Sequence, residues 1–576
     1  MPVIQHVARH RDASAPDAVA VVGMACRFPG GIGTPGDLWK ALCEGADLVS
    51  EVPPDRFDSG LFVDPRRKRP GRSCTSAGGF LHGIELFDAG YFGIAPREAA
   101  RMDPQQRLLL ETAVEALDDA GMPRDAWAGT DTGVFIGVSS RDFGELQTAR
   151  PDTIDAYTMT GLASSVTANR ISHFFDWHGE SIAVDTACSS ALTALHRACS
   201  HLRAGAGPAA LAGGANVLLN PFGYAGFSAA SMLSPTGRCR PFSAAADGFV
   251  RAEGAAVVVL RRLADALADG DPVHGVILAT GANSDGRTRG LALPRREAQQ
   301  ALLESVYAGA GIDPDDLVYF EAHGTGTPAG DPVECEALGR ALGSRRRTGA
   351  LPIGSVKSNL GHLEAASGMA GLFKALLVLR HGSVPPTLHA EPLHPGIDFD
   401  RWGLRPTVRG ERLADRDRPV VGVNSFGFGG ANAHAVLAPH PEGAGARRAL
   451  RLALADAGVS AGEVDHVNAH GTGTPPNDLV EGRVIEALLP HGPSVTATKG
   501  VLGHTLGAAG AVEAAVTVLT VQHGLVPPVA NLERLDPALS LDAVRGGPRK
   551  QRVDVALSNS FGFGGHNTVL VFRTAG

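Results

Sequence analysis

The feature that most constrains the fold is an internal repeat, in which three glycine-containing motifs occur twice in the same order. They are His-Gly-Thr-Gly-Thr-Pro at 323–328 and 470–475, a segment from Lys to Gly-His at 357–362 and 499–504, and Asn-Ser-Phe-Gly-Phe-Gly-Gly at 424–430 and 559–565. Strand-like runs at 317–321, 351–356 and 464–469 precede the histidine segments. Rigid scaffolds often place reactive side chains where strands feed loops. The repeat therefore predicts α/β units with histidine-bearing loops at strand ends.

A cysteine upstream of both copies is the candidate nucleophile. Cys188 lies in Asp-Thr-Ala-Cys-Ser-Ser at 185–190, between an apolar run at 181–184 and a helix-like segment that starts at Ala191. This pattern predicts a strand, a tight turn and a helix, with the thiol at the helix N-terminus. Free N–H groups and the helix dipole favour a thiolate there, so we expect a nucleophile near neutral pH.

These motifs resemble the β-ketoacyl synthases, the condensing enzymes of fatty-acid and polyketide assembly. Val-Ala-Val-Val-Gly-Met-Ala-Cys-Arg-Phe-Pro-Gly at 19–30 and Met-Asp-Pro-Gln-Gln-Arg-Leu at 102–108 extend the resemblance over about 17–438. It implies an α/β, thiolase-like fold with two pseudo-symmetric halves in alternating layers (αβαβα). The implied divisions are a leader at 1–16, a nucleophile-bearing half at 17–238, a half with the histidine loops at 239–438, a linker at 439–446, and a partial second C-terminal half without nucleophile at 447–576.

The resemblance also implies roles at the reacting centre. Cys188 would accept an acyl chain from a carrier thioester, and the backbone N–H groups of Cys188 and Phe428 would form the oxyanion hole. His323 and His362 would act on a malonyl-type extender by stabilising the enolate that forms as carbon dioxide leaves.

Four further residues complete the implied site. Lys357, with Glu334 as its charge partner, would orient the histidine pair. Thr325 and Thr327 would hydrogen-bond the phosphopantetheine arm of the carrier, which brings the substrate. No permanently bound cofactor and no metal are expected.

The residue types support condensation without reference to the family. Cysteine is both a soft nucleophile and a good leaving group, and the reaction needs donors aimed at a developing oxyanion. A Cys-His-Asn protease fits less well because no orienting Asp is evident, and a thiolase would need a second cysteine in a glycine-rich loop. Two alternatives stay open: a catalytically silent ketosynthase-like scaffold subunit, and an acyltransferase on the same fold.

The second copy of the motifs lacks a nucleophile, because no cysteine follows Cys335. A remnant of gene fusion or deletion is the simplest interpretation, and a structural covering role is the next. An independent active site is not expected, since an acyl-enzyme needs the thiol. The residues that correspond to His323, Glu334, Lys357, His362 and Phe428 are His470, Glu481, Lys499, His504 and Phe563.

Composition limits the compartment and the partners. Seven cysteines without a Cys-x-x-Cys pair argue against a zinc site or a disulfide framework. No apolar run is long enough to span a bilayer and 1–16 has no secretory core, so we predict a cytoplasmic protein without membrane contact. Two basic clusters, at 66–72 and 345–347, predict solvated loops or a docking surface for an acidic acyl carrier protein. Nucleic-acid binding is not expected, because only 5% of residues are aromatic and no basic motif accompanies the clusters.

Other partners follow from the resemblance and from what the sequence lacks. Family members pair across the strand before the nucleophile, so a homodimer through about 181–185 is expected. The sequence contains no Gly-His-Ser-x-Gly acyltransferase motif and no carrier serine motif. A trans-acting acyltransferase or other polyketide synthase components would then supply the extender.

Overall fold

A computed structural model describes residues 17–574 except Pro65, Arg67, Lys68, Asp415, Asp417, 441–443 and 563–566. The expected leader at 1–16, Phe563 and the centre of the expected linker lie outside the described residues. The chain forms two compact units, Met1–Pro439 and His440–Gly576, which we call the first unit and the tail. Helix Ala444–Asp456 begins inside the segment that the sequence predicted as a linker.

The first unit is built on an eleven-stranded mixed sheet. From one edge to the other, its strands are Leu404–Pro406, Leu351–Gly354, Leu317–Glu321, Val420–Phe426, Ala431–Ala438, Gly275–Ser284, Val19–Arg27, Gly254–Arg262, Ala210–Asn216, Gly133–Gly137 and Ser181–Val184. We number the five strands of each half 1 to 5 along the chain and leave out the short strand at 404–406. In both halves, the strands then lie side by side in the order 3-2-4-5-1. This duplication is the two-half, thiolase-like arrangement that the resemblance implied.

The boundary between the halves lies later than predicted. Strand Gly254–Arg262 pairs with both Val19–Arg27 and Ala210–Asn216, so it is the fifth strand of the first half. The second half begins with Gly275–Ser284, which meets Val19–Arg27 through only three residue pairs. The prediction that the first half ends at 238 was therefore wrong, because the segment after 238 returns to the nucleophile-bearing sheet before the chain crosses over.

Two helices fill the space between the halves. In strand Val19–Arg27, Val19 and Val21 pack toward these two central helices, whereas Ala20 and Val22 pack toward the outer helices. A strand that is covered on both faces needs apolar residues on both. Every residue from Ser367 to Leu379 is buried, which is typical of a helix enclosed on all sides. The central helices are Ser190–Arg203 and Ser367–His381, and the long outer helices are Pro104–Asp119, Ser164–Phe175, Arg296–Ala310 and Gly330–Ala341.

Shorter elements complete the first unit. Its remaining α-helices are Pro35–Cys43, Pro96–Ala99, Arg124–Trp127, Asp142–Thr148, Thr158–Leu162, Phe222–Ala229, Leu263–Asp269, Lys357–Leu360 and Phe399–Trp402. Its small sheets pair Ser50–Glu51, Ala77–Gly79 and Arg251–Ala252, and separately Ser383–Val384 with Glu411–Arg412.

The tail has a five-stranded sheet of its own. The strand order is Asp542–Ala543, Ser494–Thr496, His466–Asn468, Val555–Phe561 and Asn567–Arg573. This order matches the second half of the first unit without its Gly275–Ser284 strand. The tail helices are Ala444–Asp456, Pro475–Leu488, Lys499–Leu502 and Ala509–His523, and a small sheet pairs Leu525–Val526 with Arg549–Lys550.

Among the described residues, no helix has the length and apolarity to cross a membrane, and no three metal-ligating side chains form a cluster.

Candidate active site

Cys188 lies in a strained turn between a strand and a helix, as the sequence predicted. Strand Ser181–Val184 ends before the turn and helix Ser190–Arg203 begins after it. Ala187 has φ +56°, in the left-handed region that costs a non-glycine residue about 1–2 kcal/mol. The hydroxyl of Ser190 accepts the N–H of Thr186 at 2.9 Å and donates to the carbonyl of Ala187 at 2.6 Å. These bonds hold the turn that presents the sulfur.

The second half of the first unit anchors the nucleophile through its carbonyl. Ser425 Oγ donates to the carbonyl oxygen of Cys188 at 2.8 Å, and Ser367 Oγ donates to the same oxygen at 3.1 Å. Gly427 approaches so closely that a Cβ there would lie 2.2 Å from the carbonyl oxygen of Thr186. Neither serine was identified from the sequence, although Ser425 lies inside the recognised Phe-Gly motif.

The sulfur environment contradicts the expected thiolate. The pKa of the Cys188 thiol is raised to about 12, chiefly by burial and next by the carboxylate of Glu364. Lys357 and the backbone N–H groups of Phe428 and Cys188 lower this pKa. Helix Ser190–Arg203 begins only after Cys188, and loss of solvation outweighs the helix and the nearby donors. Burial therefore favours the thiol form of Cys188 over the thiolate.

Alkylation kinetics test this protonation state. In a Cys43→Ser background, which removes the exposed thiol, we expect the rate of iodoacetamide modification of Cys188 to rise about tenfold per pH unit between pH 7 and 9. The reason is that a thiol with a pKa near 12 titrates above this range. Peptide mass spectrometry measures the rate, and a plateau near pH 7 would contradict the protonated state.

His323 is held by the carboxylate of Glu334 and by a backbone donor. Glu334 accepts the backbone N–H of His323 at 2.7 Å and that of Gly324 at 2.8 Å. It also accepts Asn424 Nδ2 at 2.9 Å. The N–H of Phe426 donates to His323 Nδ1 at 3.3 Å, so the neutral ring carries its proton on Nε2. The ring thus presents a donor at its other nitrogen.

His362 faces His323 as a second neutral imidazole. The two ring centroids are 5.4 Å apart at an interplanar angle of 81°. Burial, Lys357 and the neighbouring ring hold the pKa of His323 well below its usual range, and burial, Lys357 and Arg251 do the same for His362. Neutral rings can donate a hydrogen bond to a thioester carbonyl without first losing a proton.

Lys357 and Glu334 interact through their charges, as the resemblance implied, but without direct contact. No ion pair within 4 Å joins these two described residues, because the carboxylate of Glu334 is occupied by backbone donors and Asn424. Lys357 is buried, and burial lowers its pKa while the carboxylate of Glu321 is the strongest opposing influence. Glu321 itself accepts the N–H of Val356 at 2.6 Å and pairs with Lys374 at 2.9 Å.

A Glu334→Gln variant tests this positioning role. The glutamine NH₂ would face a backbone N–H donor, so we expect the free energy of unfolding to fall by about 1–3 kcal/mol. Urea denaturation measures the change, and Glu304→Gln, at an ion pair with the exposed Arg345, is the matched control. Equal effects of the two substitutions would contradict the proposed role of Glu334.

A second buried ion pair supports His362 and was not predicted. Arg251 Nη2 lies 3.0 Å from Glu364 Oε2. The strand segment around Arg251 binds the backbone of His362 on both sides, through the carbonyl of Val250 at 2.7 Å and the N–H of Ala252 at 2.8 Å. The sequence signal was a charged residue inside an apolar run, which requires a buried partner.

One cavity of about 390 Å³ brings the predicted residues together. The hydroxyl oxygens of Thr325 and Thr327 lie 3.0 Å apart in its wall. Lys357 does not line the cavity and acts from behind the histidine loops. The predicted residues that line it are Cys188, His323, Thr325, Thr327, Glu334, His362 and Phe428.

The tail repeats the histidine geometry. The rings of His470 and His504 lie 5.5 Å apart at 83°, and Glu481 accepts the N–H of His470 at 2.7 Å. Lys499 donates to the carbonyl of His470 at 2.6 Å and forms an ion pair with Glu513, whose equivalent position in the first unit is Gly371. The tail therefore holds a formed histidine site without a nucleophile.

The duplicated layered fold, with a turn cysteine facing two histidines, defines the thiolase-like class. The β-ketoacyl synthase N-terminal domain profile matches residues 16–266, and the C-terminal domain profile matches 274–391 and 422–533. The chain belongs to the β-ketoacyl synthase family. The second matched segment of the C-terminal domain, at 422–533, extends into the tail.

The similar proteins are polyketide synthases. The chain is 48% identical over 426 residues to a phenolphthiocerol/phthiocerol polyketide synthase of Mycobacterium tuberculosis, covering 74% of this chain and 23% of that protein. It is 47% identical to a reducing polyketide synthase of Aspergillus oryzae, covering 73% of this chain and 18% of that protein. The chain thus spans less than a quarter of the length of these two relatives.

Solved ketosynthase domains share the fold. An oxazolomycin ketosynthase domain of Streptomyces albus aligns with a TM-score of 0.70 and 41% identity, covering 74% of each chain. The ketosynthase from module 6 of the Bacillus subtilis bacillaene synthase aligns with a TM-score of 0.68 and 35% identity, covering 73% of this chain and 72% of that one.

Proposed function

We propose that the first unit catalyses decarboxylative Claisen condensation of a Cys188-bound acyl chain with a malonyl-type carrier thioester. One observation carries this proposal: Cys188, His323 and His362 line a single cavity. Cys188 and His362 are 9% and 1% exposed, and this burial strengthens their electrostatic interactions. Membership of a family of condensing enzymes supports the same reaction.

The first step is thiol exchange. The Cys188 sulfur attacks the carrier thioester, its proton leaves with the carrier thiol, and the acyl chain stays on the enzyme. The N–H groups of Cys188 and Phe428 stabilise the oxyanion of the tetrahedral intermediate. Thr325 and Thr327 are positioned to bind the phosphopantetheine arm of the carrier, which is a substrate rather than a resident cofactor.

The second step forms the carbon–carbon bond. The malonyl carboxylate leaves as carbon dioxide, and its bonding electrons form an enolate whose oxygen accepts hydrogen bonds from the neutral rings of His323 and His362. The enolate carbon attacks the acyl carbonyl on Cys188, and the chain grows by two carbons. The Cys188 thiolate leaves and takes up one proton, which restores the resting thiol that its high pKa favours.

The proposal includes an acyl carrier protein, a homodimer, and a trans-acting acyltransferase or other polyketide synthase components as partners. Strand Ser181–Val184 is an edge strand with half-buried residues, which supports pairing with a second copy across that edge. Seven unpaired cysteines among the described residues support action in the cytoplasm.

The basic clusters contribute little free charge for carrier docking. Arg345 pairs with Glu304, and Arg347 pairs with Asp313 and Asp315. Arg66 and Arg69 both pair with Asp64, whereas Arg67 and Lys68 lie outside the described residues. These internal pairs favour the interpretation of the described basic residues as solvated loop residues.

Intact-protein mass spectrometry tests the reaction. The protein is first mixed with an acyl thioester donor and then with malonyl carrier protein. We expect one acyl adduct on Cys188, then release of carbon dioxide and a product two carbons longer. Absence of the adduct would favour a silent scaffold, and an adduct without carbon dioxide release would favour simple acyl transfer.

A further inference from the structure

The tail exposes an apolar helix face whose counterpart in the first unit is covered. Helix Ser367–His381 is buried on all sides because it packs against helix Ser190–Arg203 of the nucleophile-bearing half. The equivalent tail helix, Ala509–His523, buries only four residues. Val518 and Leu519 on this helix are 44% and 51% exposed. An exposed apolar face of this kind marks an interaction surface.

The tail sheet is open beside this helix. In the first unit, strand Ala431–Ala438 pairs with Val420–Phe426 on one side and with Gly275–Ser284 on the other. The equivalent tail strand, Asn567–Arg573, pairs only with Val555–Phe561 among the strands that the structure describes. Leu570 on this edge strand is 43% exposed. One missing segment, equivalent to residues from the first strand through Gly275–Ser284, would cover both openings.

Individual tail residues match those that contact the nucleophile-bearing half in the first unit. Gly368 lets the central helices approach, since a Cβ there would lie 2.9 Å from the backbone nitrogen of Leu192. Its tail equivalent is Gly510, which has no such helix beside it among the described residues. Ser425 holds the carbonyl of Cys188, and its equivalent, Ser560, makes no hydrogen bond through its hydroxyl to the described residues.

We propose that the tail is the C-terminal half of a second condensation site, and that its open face docks the nucleophile-bearing half of a β-ketoacyl synthase on another polypeptide. That partner is equivalent to residues 17–290 of this chain. A second copy of the tail is a poorer occupant, because it offers neither a cysteine for the His470–His504 pair nor a nucleophile carbonyl for Ser560. The corresponding half of the first unit is already packed against its own central helix.

Docking would restore one complete set of reacting groups. The partner would supply the thiol and its turn, and the tail would supply two histidines, of which His470 is already held by Glu481 and Lys499. The role of these histidines rests on the proposed function of the first unit. The docking itself does not, since it follows from the two open surfaces, and binding can be measured without any turnover.

Co-expression tests the docking surface. The affinity-tagged full chain is produced together with residues 17–290 of this chain carried on a solubility fusion, and the captured material is quantified. We expect near-equal amounts of both, and a reduction of about tenfold or more for Leu519→Asp, because a carboxylate would be buried in an apolar contact. Arg552→Glu, at an exposed tail position, is the control and should leave capture unchanged. Failure to capture the fragment, or capture that Leu519→Asp does not reduce, overturns the proposal.

A thiol placed on the face identifies other occupants. Since the tail contains no cysteine, Val518→Cys in a Cys43→Ser background gives one exposed thiol on the helix, and Arg552→Cys gives its control. We expect both to react with maleimide at similar rates in the full chain alone, and only the thiol at 518 to be protected by the co-expressed fragment. A disulfide between two copies at 518, or slow labelling without the fragment, overturns the proposal in favour of self-association or covering by the same chain.

Discussion

A Cys188→Ala variant is expected to lose condensation by more than about 1,000-fold, because no other group can hold the acyl chain. The histidine pair and its supports remain in place in this variant. Carbon dioxide release from malonyl carrier protein should therefore continue, and the enolate should be protonated to an acetyl carrier thioester. The Cys188→Ala variant therefore separates decarboxylation of the extender from condensation.

Two measurements check this expectation. Mass spectrometry should find no acyl adduct on the variant, and radiolabelled carbon dioxide should still be released. Cys43→Ser, at an exposed thiol, is the matched control and should keep both activities. An acylated Cys188→Ala protein would place the nucleophile elsewhere and would contradict the site as described.

A His362→Ala variant is expected to keep acylation of Cys188 and to lose decarboxylation and condensation. Loss of one donor to a developing oxyanion typically costs about 100- to 1,000-fold in rate. Decarboxylation and condensation should fall by that factor, whereas formation of acyl-Cys188 should change by less than about threefold, because the thiol and the N–H groups of Cys188 and Phe428 are untouched.

Stopped-flow acylation and carbon dioxide release measure the two steps of this variant. His178→Ala, with a largely exposed side chain, is the control and should leave both rates unchanged. A parallel loss of acylation would mean that His362 also activates the thiol, which would conflict with its assignment as a hydrogen-bond donor to the enolate alone.

Most of the first unit was predictable because its signals are local. The apolar run and the turn at Cys188, and the strand ends before His323 and His362, appear directly in the residue order. The boundary between the halves was not predictable in this way. Two apolar strands, Gly254–Arg262 and Gly275–Ser284, follow the predicted boundary at 238. Only the pairing of the first of them with Val19–Arg27 assigns it to the first half.

The electrostatics of the site required the tertiary structure. A lysine and a glutamate near two histidines suggested a charge pair, and Lys357 and Glu334 do interact through their charges. The hydrogen bonds of the Glu334 carboxylate, however, come from backbone N–H groups. Likewise, the helix that follows Cys188 suggested a thiolate, whereas burial dominates the pKa of its thiol. Hydrogen-bond geometry and solvation both depend on residues distant in sequence, so neither detail appears in the local pattern.

The sequence by itself determined the identity and order of the reacting groups in both copies, since glycine-rich turns and strand-end histidines are encoded within a few neighbouring residues. Only the tertiary structure decided that Ser425 and Ser367 hold the nucleophile, that Arg251 and Glu364 support His362, and that the tail helix lacks a cover among the described residues. The physical reason is that burial and buried pairing join residues hundreds of positions apart, and no local pattern records which of them will meet.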